Sequence, residues 1–316
     1  MSERAAGGPH HAPGAEMAIR TVALSKRYGR TLALDGLDLE VPRGEVFGFL
    51  GPNGAGKTTA VKLLLGLAYP AAGQGWLLGA PLGDRRARVH VGYLPELFRY
   101  QPWLTAREVL GLHCRLAVLD RARWVDVVGS ALATVGLADR ADDRVGSFSK
   151  GMQQRLGLGV ALLGPPDLVI LDEPTSALDP LGRQDVRQII RGLRDRGLTV
   201  FLNSHLLTEV ERVCDRVAVV DHGRVVATGT LAELLGGSRV AVRATGLSAG
   251  AVAGLGRFGR VALDGDRLEV EGIAPDAVPD LVAEVVRLGG RVHAVEPLQQ
   301  TLEDRFLALV GREHAA

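Results

Sequence analysis

The apolar run Val46 to Leu50 leads directly into GPNGAGKTT, Gly51 to Thr59, which fits the G-x-x-x-x-G-K-[ST] pattern. The pattern predicts a buried strand, a glycine-rich loop whose amides turn inward, and a helix that starts near Lys57 with its positive end aimed at the loop. Such a sequence implies an α/β domain that holds the phosphates of a nucleotide.

A lone phosphate loop specifies only a nucleotide, and later segments narrow the class. LVILDEP, Leu168 to Pro174, reads as a buried strand whose apolar run ends in two carboxylates, at the sheet end where ligands of open α/β folds collect. SFSKGMQQR, Ser147 to Arg155, lies between the loop and that strand. SALD, Ser176 to Asp179, comes after it, and His205 closes the apolar run LTVFLNSH. With these motifs in this order, the chain from about Ile19 to Leu235 resembles the ATP-binding subunit of an ABC transporter.

The resemblance implies an α/β fold of the P-loop NTPase (ABC ATPase) type, with an antiparallel β subdomain and an inserted helical subdomain at about 97–163. It implies that Gly51, Pro52, Asn53, Gly54, Ala55, Gly56, Lys57, Thr58 and Thr59 cradle ATP. Lys57 would reach the β- and γ-phosphates as a cation, and Thr58 would place its hydroxyl on Mg²⁺. Asp172 is the expected Mg²⁺ partner through water, since Mg²⁺ keeps several of its waters, and Glu173 is the expected general base. Two carboxylates at a strand end alternatively cap the following helix. His205 takes the switch position that contacts the γ-phosphate, and Asp179 stands in the D-loop. Tyr28, in SKRYG, sits where relatives set an aromatic ring against adenine; packing on the core is the other reading.

FSKGM, Phe148 to Met152, occupies the signature position, usually LSGGQ, which binds the γ-phosphate of the opposite protomer. Ser149 and Gly151 are retained, while Lys150 replaces a glycine and Met152 a glutamine. The contribution of the helix N-terminus needs only backbone and survives the change. Because a single copy carries one loop and one signature, the resemblance implies a dimer, homomeric or heteromeric. Glu96, in GYLPE, stands where the general family has a glutamine near the Mg²⁺ site. FSKGM and GYLPE together resemble the ABC-2 type exporter branch. ATP hydrolysis coupled to export, of drugs or antibiotics among other cargo, is then expected, through a transmembrane permease on a separate chain. The subunit would lie peripherally on the cytoplasmic face of the membrane. A soluble non-transport ABC ATPase or a regulatory nucleotide switch is the alternative. Phe98, Tyr100, Pro102, Trp103 and Leu104 either line a groove for the permease's coupling helix or pack the inserted helices.

Composition limits the remaining choices. The 316 residues are 47% hydrophobic, enough for a large domain and a smaller one, and the net charge of +1 leaves no footprint for a nucleic-acid partner. The longest apolar stretch, Leu156 to Leu171, is broken by Gly164, Pro165 and Pro166 and is shorter than the roughly 20 residues of a membrane span. Cys114 and Cys214, the only cysteines, fit no metal spacing and read as free core thiols. Residues 1–17, rich in Gly, Ala and Pro, read as a flexible tail; 18–236 as the nucleotide-binding domain; and 237–316 as an accessory α+β domain of ferredoxin-like order, with Gly236 to Ser238 as a linker.

Overall fold

The computed structural model describes residues 17–313 except 177, 236–238, 248, 249, 251, 253, 299 and 300. The tail expected at residues 1–17 therefore lies outside the described residues but for Met17, and so does the linker expected at 236–238. Contacts divide the chain into two units, 1–228 and 229–316.

The first unit contains two sheets. In one, β1 (Met17–Tyr28) pairs antiparallel with β2 (Thr31–Pro42) on one side and β4 (Ala72–Leu77) on the other, and β5 (Ala80–Pro81) forms the far edge. The other sheet carries β3 (Val46–Leu50), β6 (Val91–Leu94), β7 (Leu168–Asp172), β8 (Thr199–Ser204), β9 (Arg216–Asp221) and β10 (Arg224–Thr230), in the order β10-β9-β3-β8-β7-β6. Strands β9, β3, β8, β7 and β6 run parallel.

Every residue of β3, β7 and β8 is buried, as an apolar run covered on both faces requires. Phe201 of β8 stacks on Phe47 of β3 at 6.1 Å between ring centroids and leans on Phe49 at 5.2 Å, which ties the two strands at the centre of the core. Helix α1 (Lys57–Leu64) buries Ala60, Val61, Leu63 and Leu64. After the short α2 (Arg85–Arg88), the inserted helices are α3 (Ala106–Leu116), α4 (Trp124–Thr134) and α5 (Lys150–Ala161). Their starts are written in the sequence: Thr105 and Glu108 close a reciprocal capping box on α3, and Ser149 caps α5. Asp179 caps α6 (Pro180–Asp195), with Pro180 at its first position. Val186, Ile189, Ile190 and Leu193 of α6 form the buried stripe, each contributing roughly 1.5–3 kcal/mol by burial. Helix α7 (Leu207–Val213) packs on β3 so closely that a Cβ on Gly48 would stand 2.8 Å from Val210 Cγ1.

The aromatic segment after β6 separates by residue. Phe98 and Tyr100 pack together at 5.3 Å, Tyr100 sets its ring edge-on to His113 of α3, and burial pushes the Tyr100 hydroxyl up. Leu97 and Trp103 are exposed, Trp103 by 68%. Part of the segment thus packs the inserted helices and part faces outward. Both cysteines are free and buried, and burial raises their thiols.

The second unit holds β11 (Arg239–Thr245), β12 (Arg260–Asp264), β13 (Arg267–Glu271) and β14 (Arg291–Leu298) in the antiparallel order β12-β13-β11-β14. Helix α8 (Leu231–Leu235) touches the terminal α10 (Leu302–Glu313), which draws it into this unit, ahead of the expected start at Gly237. Val240, Val242, Leu268 and Val270 meet Leu281 and Val285 of α9 (Val278–Arg287) in a separate core. That strand order is the one a split βαβ arrangement produces. Among the described residues no helix is long and apolar enough to cross a membrane.

Candidate functional site

The parallel register brings the C-terminal ends of β3, β7 and β8 side by side: Leu50 lies opposite Ser204, and Asp172 opposite Asn203. The segments that leave these three strand ends therefore converge. From β3 comes the loop to α1, from β7 the pair Asp172 and Glu173, and from β8 the segment Asn203 to His205.

Two glycines let the loop close down. A Cβ on Gly51 would stand 2.3 Å from the Val220 carbonyl oxygen, and one on Gly56 would stand 2.3 Å from that of Ala33. Gly56 also holds φ at +99°, a left-handed conformation at the start of α1 that side chains resist. Lys57 then reaches back into the loop and donates from Nζ to the carbonyl oxygens of Gly51, at 2.7 Å, and Pro52, at 3.1 Å. Burial lowers the pKa of this ammonium, and Glu173, Asp172 and Glu96 oppose the shift.

A cavity of about 380 Å³ opens over these groups. Its wall consists of Thr31, Leu32 and Ala33 of β2; Asn53, Gly54, Gly56, Lys57, Thr58 and Thr59 of the loop and α1; and Glu96, Asp172, Glu173, Asn203 and His205. Asp172 is buried and accepts a hydrogen bond from Asn203 Nδ2. Burial pushes its carboxyl up; the Asn203 hydrogen bond pulls it down, Glu96 and Glu173 push it up, and Lys57 pulls it down. Glu173 is held at φ +51°, where a non-glycine residue costs about 1–3 kcal/mol, and its amide donates to the Asn203 carbonyl at 2.9 Å. Its Oε1 lies 2.8 Å from His205 Nδ1, while Oε2 is buried without a hydrogen-bond partner among the described residues. His205 itself is half exposed.

Three carboxylates against one ammonium and one imidazole leave the cavity short of positive charge, and the donors are hard oxygens from Thr58, Asp172 and Glu96. Among the described residues no cluster of three or more His, Cys, Asp or Glu could hold a metal ion. A cation here would take few protein ligands and fill its shell with phosphate and water, which is the habit of Mg²⁺ and fits this donor set.

The remaining expected site residues stand off the cavity wall. Gly51, Pro52 and Ala55 lie in the loop beneath it, with Gly51 and Ala55 buried. Tyr28 is exposed at the end of β1, opposite Thr31, with Lys26 Nζ 5.0 Å from its ring centroid. Ser149, Lys150, Gly151 and Met152 form the exposed to half-buried start of α5, where Met152 N donates to Ser149 Oγ at 3.2 Å. Asp179 Oδ1 accepts from Gly182 N at 2.8 Å. The cavity also holds residues the motifs did not single out: Asn203, and Thr31 to Ala33. For Asn203 a signal exists, an amide inside the otherwise apolar run of a buried strand.

The ABC transporter family profile matches residues 34–176, from β2 through the carboxylates that end β7. An ABC transporter ATP-binding protein of Nostoc sp. is 40% identical over 286 residues, which is 90% of this chain and 85% of the relative. The Nod factor export ATP-binding protein I of Rhizobium sp. is 37% identical over 307 residues, 94% of this chain and 98% of that one. Among solved structures, an ATP-binding subunit of an ABC transporter superposes with a TM-score of 0.61 at 32% identity, covering 69% of this chain and 91% of its own. By the extent of these matches, this chain belongs to the family of ABC transporter ATP-binding proteins.

Proposed function

We propose that this chain is the ATP-hydrolysing subunit of an ABC-2 type export system, which works with a transmembrane permease carried on a separate chain. The observation that carries the reading is the meeting of Lys57, Asp172, Glu173 and His205 on one cavity at the ends of three parallel strands. Likeness over nearly the full length to an export ATP-binding protein supports the branch.

In this reading the loop from Gly51 to Thr59 wraps the phosphates, Lys57 turns from its loop carbonyls toward the β- and γ-phosphates, and Tyr28 stacks on adenine. Thr58 and, through water, Asp172 would hold Mg²⁺, with Glu96 at its shell, and the ion would supply positive charge against the phosphates. Glu173 orients the attacking water and accepts its proton, and its lone buried Oε2 is an acceptor in want of such a donor. His205, now paired with Glu173 Oε1, exchanges that contact for the γ-phosphate. A second copy brings Ser149 to Met152 and the Asp179 segment to the open side. Binding of ATP then closes the dimer and hydrolysis reopens it, a population shift passed to the permease. Exposed Leu97 and Trp103 present apolar surface to that partner. The subunit sits peripherally on the cytoplasmic face of the membrane.

The test is purification of Glu173→Gln protein from detergent-solubilised native membranes with ATP and Mg²⁺. A polytopic membrane protein recovered in stoichiometric amount is the expected result. Recovery from the soluble fraction, alone or with ribosomes, overturns the export reading.

A further inference from the structure

Asn203 is 1% exposed, lies on the cavity wall, and makes a hydrogen bond through only half of its amide. Nδ2 donates to Asp172 Oδ1, whereas Oδ1 is buried without a partner among the described residues. The orientation of the amide is settled by chemistry: an ionised carboxylate can only accept, so the nitrogen must face Asp172 and the oxygen must face away. A buried acceptor left without a donor costs about 1–3 kcal/mol, a penalty a plain core position in β8 would avoid with an aliphatic residue. Its neighbour Glu173 Oε2 carries the same deficit on the same wall, and the Asn203 carbonyl already holds the Glu173 amide at 2.9 Å. Two orphan acceptors beside Asp172 call for water hydrogens.

We infer that Asn203 is a positioning residue for the metal. Its amide nitrogen fixes the Asp172 carboxylate so that its remaining oxygen faces the ion, and its amide oxygen accepts a hydrogen bond from water in the shell of a divalent cation. The inference rests on the proposed ATPase reading and extends it by one residue. Outer partners of this kind orient the groups that meet a metal, and their removal costs 10–100-fold in metal affinity or activity. Asn203 also holds both acidic residues by separate groups: its side-chain nitrogen donates to the Asp172 carboxylate, and its main-chain carbonyl accepts from the Glu173 backbone amide. Its side chain can therefore be changed without breaking the bond to the Glu173 amide.

The experiment measures binding of a fluorescent ATP analogue to the full chain, once in EDTA and once across a Mg²⁺ titration, with thermal unfolding alongside. Asn203→Leu removes both polar groups while keeping a branched side chain with the same number of heavy atoms. The Mg²⁺ concentration for half-maximal enhancement of binding should rise at least tenfold, while affinity in EDTA stays within about twofold of wild type. Should the leucine variant fail to fold, Asn203→Ala serves, because it also removes both the donor and the acceptor and adds no bulk; the same rise is expected. An unchanged Mg²⁺ requirement in whichever variant folds overturns the inference and leaves Asn203 a packing residue. Failure of the wild-type protein to bind the analogue at all would instead overturn the nucleotide reading itself.

Discussion

In the proposed function the cavity wall and the start of α5 meet the same phosphates, yet the two are built in opposite ways. On the wall, Asp172 and Glu173 are buried close to Glu96, Glu173 sits in a left-handed conformation, and Asn203 Oδ1 and Glu173 Oε2 lack partners among the described residues. At α5, Ser149 is exposed, extended, and engaged by Met152 N. One region needs ligand atoms to complete it. The other is finished as a helix cap and lends only what every helix start has to spare, the unpaired amides of its first turn. Substitutions on the wall should therefore trade stability against chemistry, whereas at α5 the two should come apart.

The largest effect belongs to the wall. Glu173→Gln keeps the shape and removes the carboxylate proposed as base, so phosphate release should fall by roughly 10²–10⁴-fold, the range for a positioned general base, while ATP affinity is retained. A dimer that accumulates with ATP, read by light scattering, would show that the two regions meet in trans. A variant as fast as wild type would break the contrast, since the buried carboxylate would then be structural. Gly56→Ala comes next: the new methyl would stand 2.3 Å from the Ala33 carbonyl at φ +99°. Stability should drop by about 2 kcal/mol or more, with ATP binding lost in parallel, as denaturant titration and nucleotide binding would record.

Asp172→Asn sharpens the trade. Burial first, then Glu96 and Glu173, hold the Asp172 carboxyl above the usual carboxylate range despite the bond from Asn203. A raised folded pKa means that the folded protein binds more protons than the unfolded chain in the window just above the ordinary aspartate value of 3.8, so stability from this group grows as pH falls through that window. At neutral pH, without nucleotide or Mg²⁺, the asparagine variant should melt higher than wild type, and the gap should narrow on acidification toward pH ~4. Its response to Mg²⁺ should be lost. A variant that melts lower at neutral pH would mean that the Asn203 bond outweighs the burial of charge.

The wall is legible in the sequence to the extent that its groups are local. Lys57, Thr58, Asp172, Glu173 and His205 sit within a few residues of a strand end, and the motif spacing carries them there. Thr31 to Ala33 are not legible, because they reach the cavity through the long-range approach of β2 to Gly56 that no short spacing encodes. Asn203 is half legible. Its place in an apolar run marks a buried polar group, but its partner emerges only from the register of β7 with β8. In the fold, capping residues announce α3, α5 and α6, while the grouping of α8 with the second unit depends on its contact with α10, at the far end of that unit.

The smallest expected effect tests the α5 half of the contrast. Ser149→Ala removes the acceptor that Met152 N uses, a loss of about 1 kcal/mol in helix stability, and also removes a hydroxyl that a partner's γ-phosphate could engage. The alanine variant alone cannot separate the two roles. Ser149→Asp can, because aspartate caps a helix as well as serine does and favours the positive end of α5, yet carries a negative charge to the place where the proposed dimer would bring a phosphate. The aspartate variant should melt within about 1 °C of wild type, bind ATP as a monomer with unchanged affinity, and hydrolyse it several-fold more slowly as the protein concentration is raised into the dimer range. Equal loss of melting temperature and rate in both variants would make Ser149 a cap and nothing more, with the phosphate contact left to the backbone of Lys150 and Gly151. Wild-type hydrolysis by the aspartate variant would go further and remove the α5 start from the site.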